Sequence, residues 1–182
     1  MVKLYVVDTN VLIQRPDALE CFEDNHVVLP LVVLEELDNL KKSDGERGIN
    51  ARKAIRFLEK YRLSGNLLQG VKLESGGMLR IEKNFIDVEL PRDLPEEKSD
   101  NRILKVCKGL SDSCDEQVIL VTKDLVLRLK AQMLGIRADD FSAEQVGAPD
   151  GLYTGRRTVY AAEERFKEFR KKGISVEDVY ES

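Results

Sequence analysis

Two short apolar runs, Leu4–Val7 and Val118–Val121, each stop at a turn that holds an aspartate. Asp8-Thr9-Asn10 follows the first and Thr122-Lys123-Asp124 the second. An unbroken apolar run of this length reads as a strand buried on both faces. Such a strand needs a layer above and a layer below, and the rest of the chain supplies helices for both. Ile49–Tyr61 carries an apolar stripe of Ala51, Ala54, Ile55 and Leu58, while Arg52, Arg56 and Lys60 recur every four residues on another face. Leu31, Leu34, Leu37 and Leu40 recur every third residue and predict a helix face after Pro30. Ser99–Leu110 reads as a helix with Ile103, Val106 and Cys107 inward and Ser99 as its cap, and Leu125–Leu134 as another, stopped by Gly135. Pro16–Phe22 reads as a short helix, and His26–Leu29 and Ile136–Phe141 as further strands. Val71–Glu74 and Met78–Glu82 alternate around Gly76-Gly77 in the manner of a hairpin. The alternation of strands and helices predicts an α/β fold, a central parallel sheet flanked by helices on both faces.

Composition removes other classes. With 42% hydrophobic residues among 182, the chain can bury a core and is not a disordered tract. No apolar stretch approaches the roughly twenty residues of a membrane span. Three cysteines (Cys21, Cys107, Cys114) with no CxxC pair imply neither a disulfide framework nor a structural zinc site. The N-terminal apolar run breaks at Asp8, too early for a signal peptide, so the expected location is the cytoplasm. His26 is the one histidine, read as a strand residue, so any chemistry is expected to rest on carboxylates. Gly147–Gly151 reads as a linker and Val159–Lys172 as a charged helix. The expected division is therefore a domain over 1–146 and an extension over 147–182.

In an open parallel sheet, ligands bind beyond the carboxyl ends of the strands. Asp8 and Asp124 fall there, and Asp100 and Glu36, near the start of one helix and within another, can come from the same edge. Carboxylate oxygens are hard ligands suited to Mg²⁺ or Mn²⁺. Packed carboxylates raise one another's pKa, and a divalent cation relieves the repulsion and can activate water against a phosphodiester. The structural alternative is that Asp8 and Asp124 merely cap the helices that follow them.

Four segments resemble the motifs of the PIN-domain ribonucleases: Val6-Val7-Asp8-Thr9-Asn10-Val11-Leu12, Leu29–Leu37, Ser99-Asp100-Asn101-Arg102-Ile103-Leu104 and Leu120-Val121-Thr122-Lys123-Asp124. Their order and spacing agree across residues 2 to 141. The resemblance implies a PIN-like three-layer α/β sandwich and metal-dependent cleavage of single-stranded RNA. It assigns the motif acids to Asp8, Glu36, Asp100 and Asp124, with the metal on Asp8, Asp100 and Asp124. Of the adjacent Glu35 and Glu36, the acid directly before the leucine matches. Thr9, Asn10 and Thr122 match supporting positions. Leu40-Lys41, Arg47–Arg52 and Gly151–Gly155 further resemble the PIN domain that precedes a PhoH-type ATPase, although no GxxxxGK[ST] phosphate loop occurs in this chain.

Basic residues concentrate between Lys41 and Arg62 despite a net charge of −4. A basic flank beside an acidic site suits the phosphate backbone, and Arg47 and Arg52 are the expected RNA contacts. The alternative function is an RNA-binding or docking module with little activity alone, working with a PhoH-type ATPase. A receiver-like phospho-acceptor domain fits less well, because Asp8 is followed by Thr9-Asn10 rather than a second acid. A homo-oligomer is compatible with either reading.

Overall fold

A computed structural model describes residues 2–83 and 85–141. The linker and charged helix expected after Gly147 lie outside the described residues. Six strands form one sheet: β1 (Lys3–Val7), β2 (His26–Pro30), β3 (Val71–Lys72), β4 (Met78–Glu82), β5 (Gln117–Val121) and β6 (Arg137–Asp139). Their order across the sheet is β3-β4-β2-β1-β5-β6. All pairings are parallel except β3 with β4, the expected hairpin. The helices are α1 (Thr9–Gln14), α2 (Leu31–Leu40), α3 (Gly45–Ser64), α4 (Ser99–Ser113) and α5 (Leu125–Met133), with a short 3₁₀ turn at Ala18–Phe22.

β1 lies at the centre, with β2 on one side and β5 on the other. The chain passes from β1 to β2 on one side and later returns from β4 across the sheet to β5 on the other, so the strand order reverses at β1 and opens a crevice at its carboxyl end. Register sharpens this: Val6 pairs with Val28 and Leu120, and Val7 with Val121. The ladder runs one step further, since the Asp8 amide donates to the Val121 carbonyl at 3.0 Å. The two strand-end turns are thereby held side by side. Leu4, Val6, Val27, Val28, Leu29, Ile119 and Leu120 are fully buried, as runs covered on both faces require.

Several local expectations shift. The short helix expected from Pro16 is the 3₁₀ turn beginning at Ala18. α3 starts at Gly45, four residues before the expected Ile49, because Asp44 takes the extended N-cap position. Lys98, not Ser99, occupies the cap position of α4, and Ser99 is its first residue. In α2 the buried residues are Val32, Val33 and Leu37, while Leu31 is 39% exposed. At 100° per residue, a strict three-residue spacing drifts about 60° per step, so the four leucines wind across half the helix.

Candidate active site

Asp8 ends β1 and stands at the N-cap position of α1, yet its side chain makes no capping bond there. It is 3% exposed. Its Oδ2 accepts from the Thr122 hydroxyl at 2.6 Å and from Asn10 Nδ2 at 3.4 Å. Burial pushes the Asp8 carboxyl up to about 6. The Thr122 hydrogen bond opposes that rise, and the charges of Glu36 and Asp100 add to it. Asp8 is thus a buried acid that shares its surroundings with two others.

Those neighbours come from separate elements. Glu36 sits in the second turn of α2, whose start directly after β2 brings it to the same sheet edge. Its Oε2 accepts a hydrogen bond from the buried Thr9 hydroxyl. Asp100 lies in the first turn of α4, and its Oδ2 accepts from Lys130 Nζ at 3.3 Å. Asp8, Thr9, Asn10, Glu36, Asn39, Leu40, Arg47 and Asp100 line one cleft of about 270 Å³.

Asp124 behaves differently. Its Oδ1 accepts from the amides of Val126 at 2.7 Å and Leu127 at 3.2 Å, which makes it the N-cap of α5. It does not line the cleft. Thr122 links it to the site: the fully buried Thr122 hydroxyl donates to Asp8 and accepts from the Asp124 amide at 3.0 Å. Helix capping therefore describes Asp124 and not Asp8. Arg47 lines the cleft, whereas Arg52 Nη1 donates to the Lys41 carbonyl at 2.6 Å and braces the loop between α2 and α3.

Other participants escaped the sequence reading. Lys130 of α5 also donates to Asn101 Oδ1 at 3.3 Å, and buried Asn101 donates to the Pro95 carbonyl at 2.7 Å. The first turn of α4, which carries Asp100, is thereby pinned from two sides. The usable signal was Asn101 itself, a polar residue two positions before the apolar pair Ile103-Leu104. Nothing in the spacing marked Lys130.

The donor set is all oxygen, partly buried and mutually repelling, which suits a hard divalent cation. Among the described residues, no three acid, histidine or cysteine side chains already converge as a metal cage. Instead, each acid of the cleft rests on a hydrogen-bond donor: Asp8 on Thr122, Glu36 on Thr9 and Asp100 on Lys130.

The central strand of this α/β sheet thus delivers a buried acid to a cleft lined by two more. The PIN domain model matches residues 5–142, and the chain belongs to that family, whose fold is of the nuclease type. The chain is 43% identical to Protein PhoH2 of Bacillus subtilis over 186 residues, covering 98% of this chain and 42% of that protein. It is 40% identical to Protein PhoH2 of Mycolicibacterium smegmatis over 148 residues, covering 80% of this chain and 33% of that one. The chain thus spans less than half the length of these relatives. A domain of a functionally unknown protein from Methanocaldococcus jannaschii shares the fold, with a TM-score of 0.50 at 22% identity, covering 83% of this chain and 96% of that one. Among the described residues, no helix is long and apolar enough to cross a membrane.

Proposed function

We propose that this chain is a divalent-metal-dependent endoribonuclease that hydrolyses phosphodiester bonds of single-stranded RNA. The observation that carries the reading is Asp8: a buried carboxylate pushed up to about 6, facing Glu36 and Asp100 in one cleft. Asp8 and Asp100 would hold Mg²⁺ or Mn²⁺, with Glu36 beside them. Asp124 would contribute mainly by capping α5 and presenting its amide to Thr122. When bound, such a cation activates water and stabilises the charge of the phosphodiester transition state. The chain's own groups do the positioning. Thr122 fixes one oxygen of Asp8, Asn10 adds a longer hydrogen bond to that same oxygen, and Thr9 orients Glu36. Arg47, on the cleft wall, would hold a backbone phosphate, and Arg52 would stiffen the loop leading to it. The domain would occupy residues 1–146, with 147–182 leading towards a PhoH-type ATPase in a longer chain.

The test is cleavage of labelled single-stranded RNA with Mn²⁺ by wild type and by an Asp8→Asn, Asp100→Asn double variant. The variant is expected to lose cutting by at least about 100-fold. Equal cutting by both would overturn the proposal. One observation favours a second reading, an RNA-binding or docking module with little activity of its own: no three acids converge among the described residues. Equal RNA binding by both proteins, with no cutting by either, would select that module.

A further inference from the structure

We infer that the Glu35–Arg102 ion pair is a clamp that sets the separation of Glu36 and Asp100 across the cleft, an inference that rests on the metal-site reading. Glu36 and Asp100 sit on different helices, and among the described residues no hydrogen bond or ion pair joins the two acids directly or through a shared side chain. Their immediate neighbours do meet. Arg102 Nη2 lies 2.9 Å from Glu35 Oε2, the ion pair between α2 and α4 among the described residues. Glu35 precedes Glu36 by one residue, and Arg102 follows Asp100 by two. On a helix those offsets point about 100° and 200° away from the acids. The pair therefore lies outside the cleft, and neither member lines it. The side chains are 31% and 49% exposed, so the pair adds little to stability. Its geometric leverage is larger, because it joins the two helical turns that carry cleft acids.

The adjacent acids of α2 thus have separate tasks. Glu36 faces the cleft on its Thr9 hydrogen bond, and Glu35 ties α2 to α4. A clamp differs from a bystander charge in a measurable way. Through the field alone, removing Glu35 would weaken cation binding and removing Arg102 would strengthen it. Through the clamp, both removals weaken it, since either one releases the helices.

The experiment is calorimetric titration of the full chain with Mn²⁺, alongside the urea midpoint, for wild type, Glu35→Gln, Arg102→Met, Arg102→Lys and the charge-swapped Glu35→Arg, Arg102→Glu pair. The two neutralising variants are each expected to weaken Mn²⁺ binding about tenfold with little change in midpoint, in line with loss of an outer partner of a metal site. Arg102→Lys is expected to stay within about threefold of wild type, because it keeps the pair as a point charge. The swapped pair is expected to recover most of the loss. Opposite effects of the two neutralising variants, or wild-type affinity in both, overturn the clamp. So does failure of a folded swapped pair to recover affinity. If the swap does not fold, Arg102→Lys decides: an effect as large as that of Arg102→Met overturns the clamp. An Asp8→Asn control binding Mn²⁺ as tightly as wild type would instead sink the metal-site reading itself.

Discussion

Asp8→Asn is expected to stabilise the metal-free protein at neutral pH and not at acid pH. A carboxyl raised from its ordinary 3.8 to about 6 keeps its proton when folded over a pH range where the unfolded chain has lost it. The native state then binds more protons, so stability falls as pH rises from about 4 to about 6 and stays low above that. At roughly 1.36 kcal/mol per pH unit, the full cost of ionising buried Asp8 is about 3 kcal/mol. Asparagine carries no charge, and its carbonyl can still accept from Thr122, so most of that cost disappears. Thermal unfolding in EDTA should show the variant ahead by up to about 6–12 °C at pH 8, at about 2–4 °C per kcal/mol for a chain of this size. At pH 4 the two curves should nearly coincide. Saturating Mn²⁺ should reverse part of the order, because a cation at 100 times its dissociation constant adds about 2.7 kcal/mol to the wild type alone. A gain that is the same at pH 4 and pH 8, or no gain at either, would refute the reasoning.

Thr122→Val removes the hydroxyl that joins Asp8 to the Asp124 amide; we expect a loss of about 1–3 kcal/mol by urea unfolding. The acid transition of stability should also move to higher pH, because that hydrogen bond holds the Asp8 value down. Arg47→Ala should weaken single-stranded RNA binding and lower the salt slope by about one, as filter binding over a salt series will show. At Gly109 of α4 a Cβ would stand 2.2 Å from the Phe85 ring, so Gly109→Ala should cost about 1–3 kcal/mol in urea unfolding through overpacking.

Much of this molecule was legible because a doubly covered strand leaves an unmistakable trace. Leu4–Val7 and Val118–Val121 announced both central strands, and the acids after them announced the edge where the cleft lies. What spacing could not separate was the fate of those two acids. Asp8 and Asp124 both follow a central strand and stand at the N-cap of the next helix, yet only Asp124 bonds the amides of its own helix. That difference depends on side-chain rotation and on the ladder step that sets Asp8 beside Thr122. The leucines of α2 misled for a geometric reason, since spacing by three does not stay on one face of a 3.6-residue helix. Lys105 is invisible in the same way. It sits 3% exposed within the apolar face of α4, where Nζ donates to the Ile86 carbonyl at 3.1 Å and to Glu96 at 2.8 Å. A lysine can be buried only where partners wait for it, and those partners lie on the irregular loop that precedes α4, whose path spacing does not reveal.

The claim that Asp8 and Asp100 hold a divalent cation has one direct measurement: anomalous diffraction from a crystal of this chain soaked in Mn²⁺. The account predicts an anomalous peak in the cleft, with carboxylate oxygens of Asp8 and Asp100 about 2.0–2.6 Å from it. A cleft without a peak at saturating Mn²⁺, or a peak bound by other residues while RNA is still cut, would contradict it.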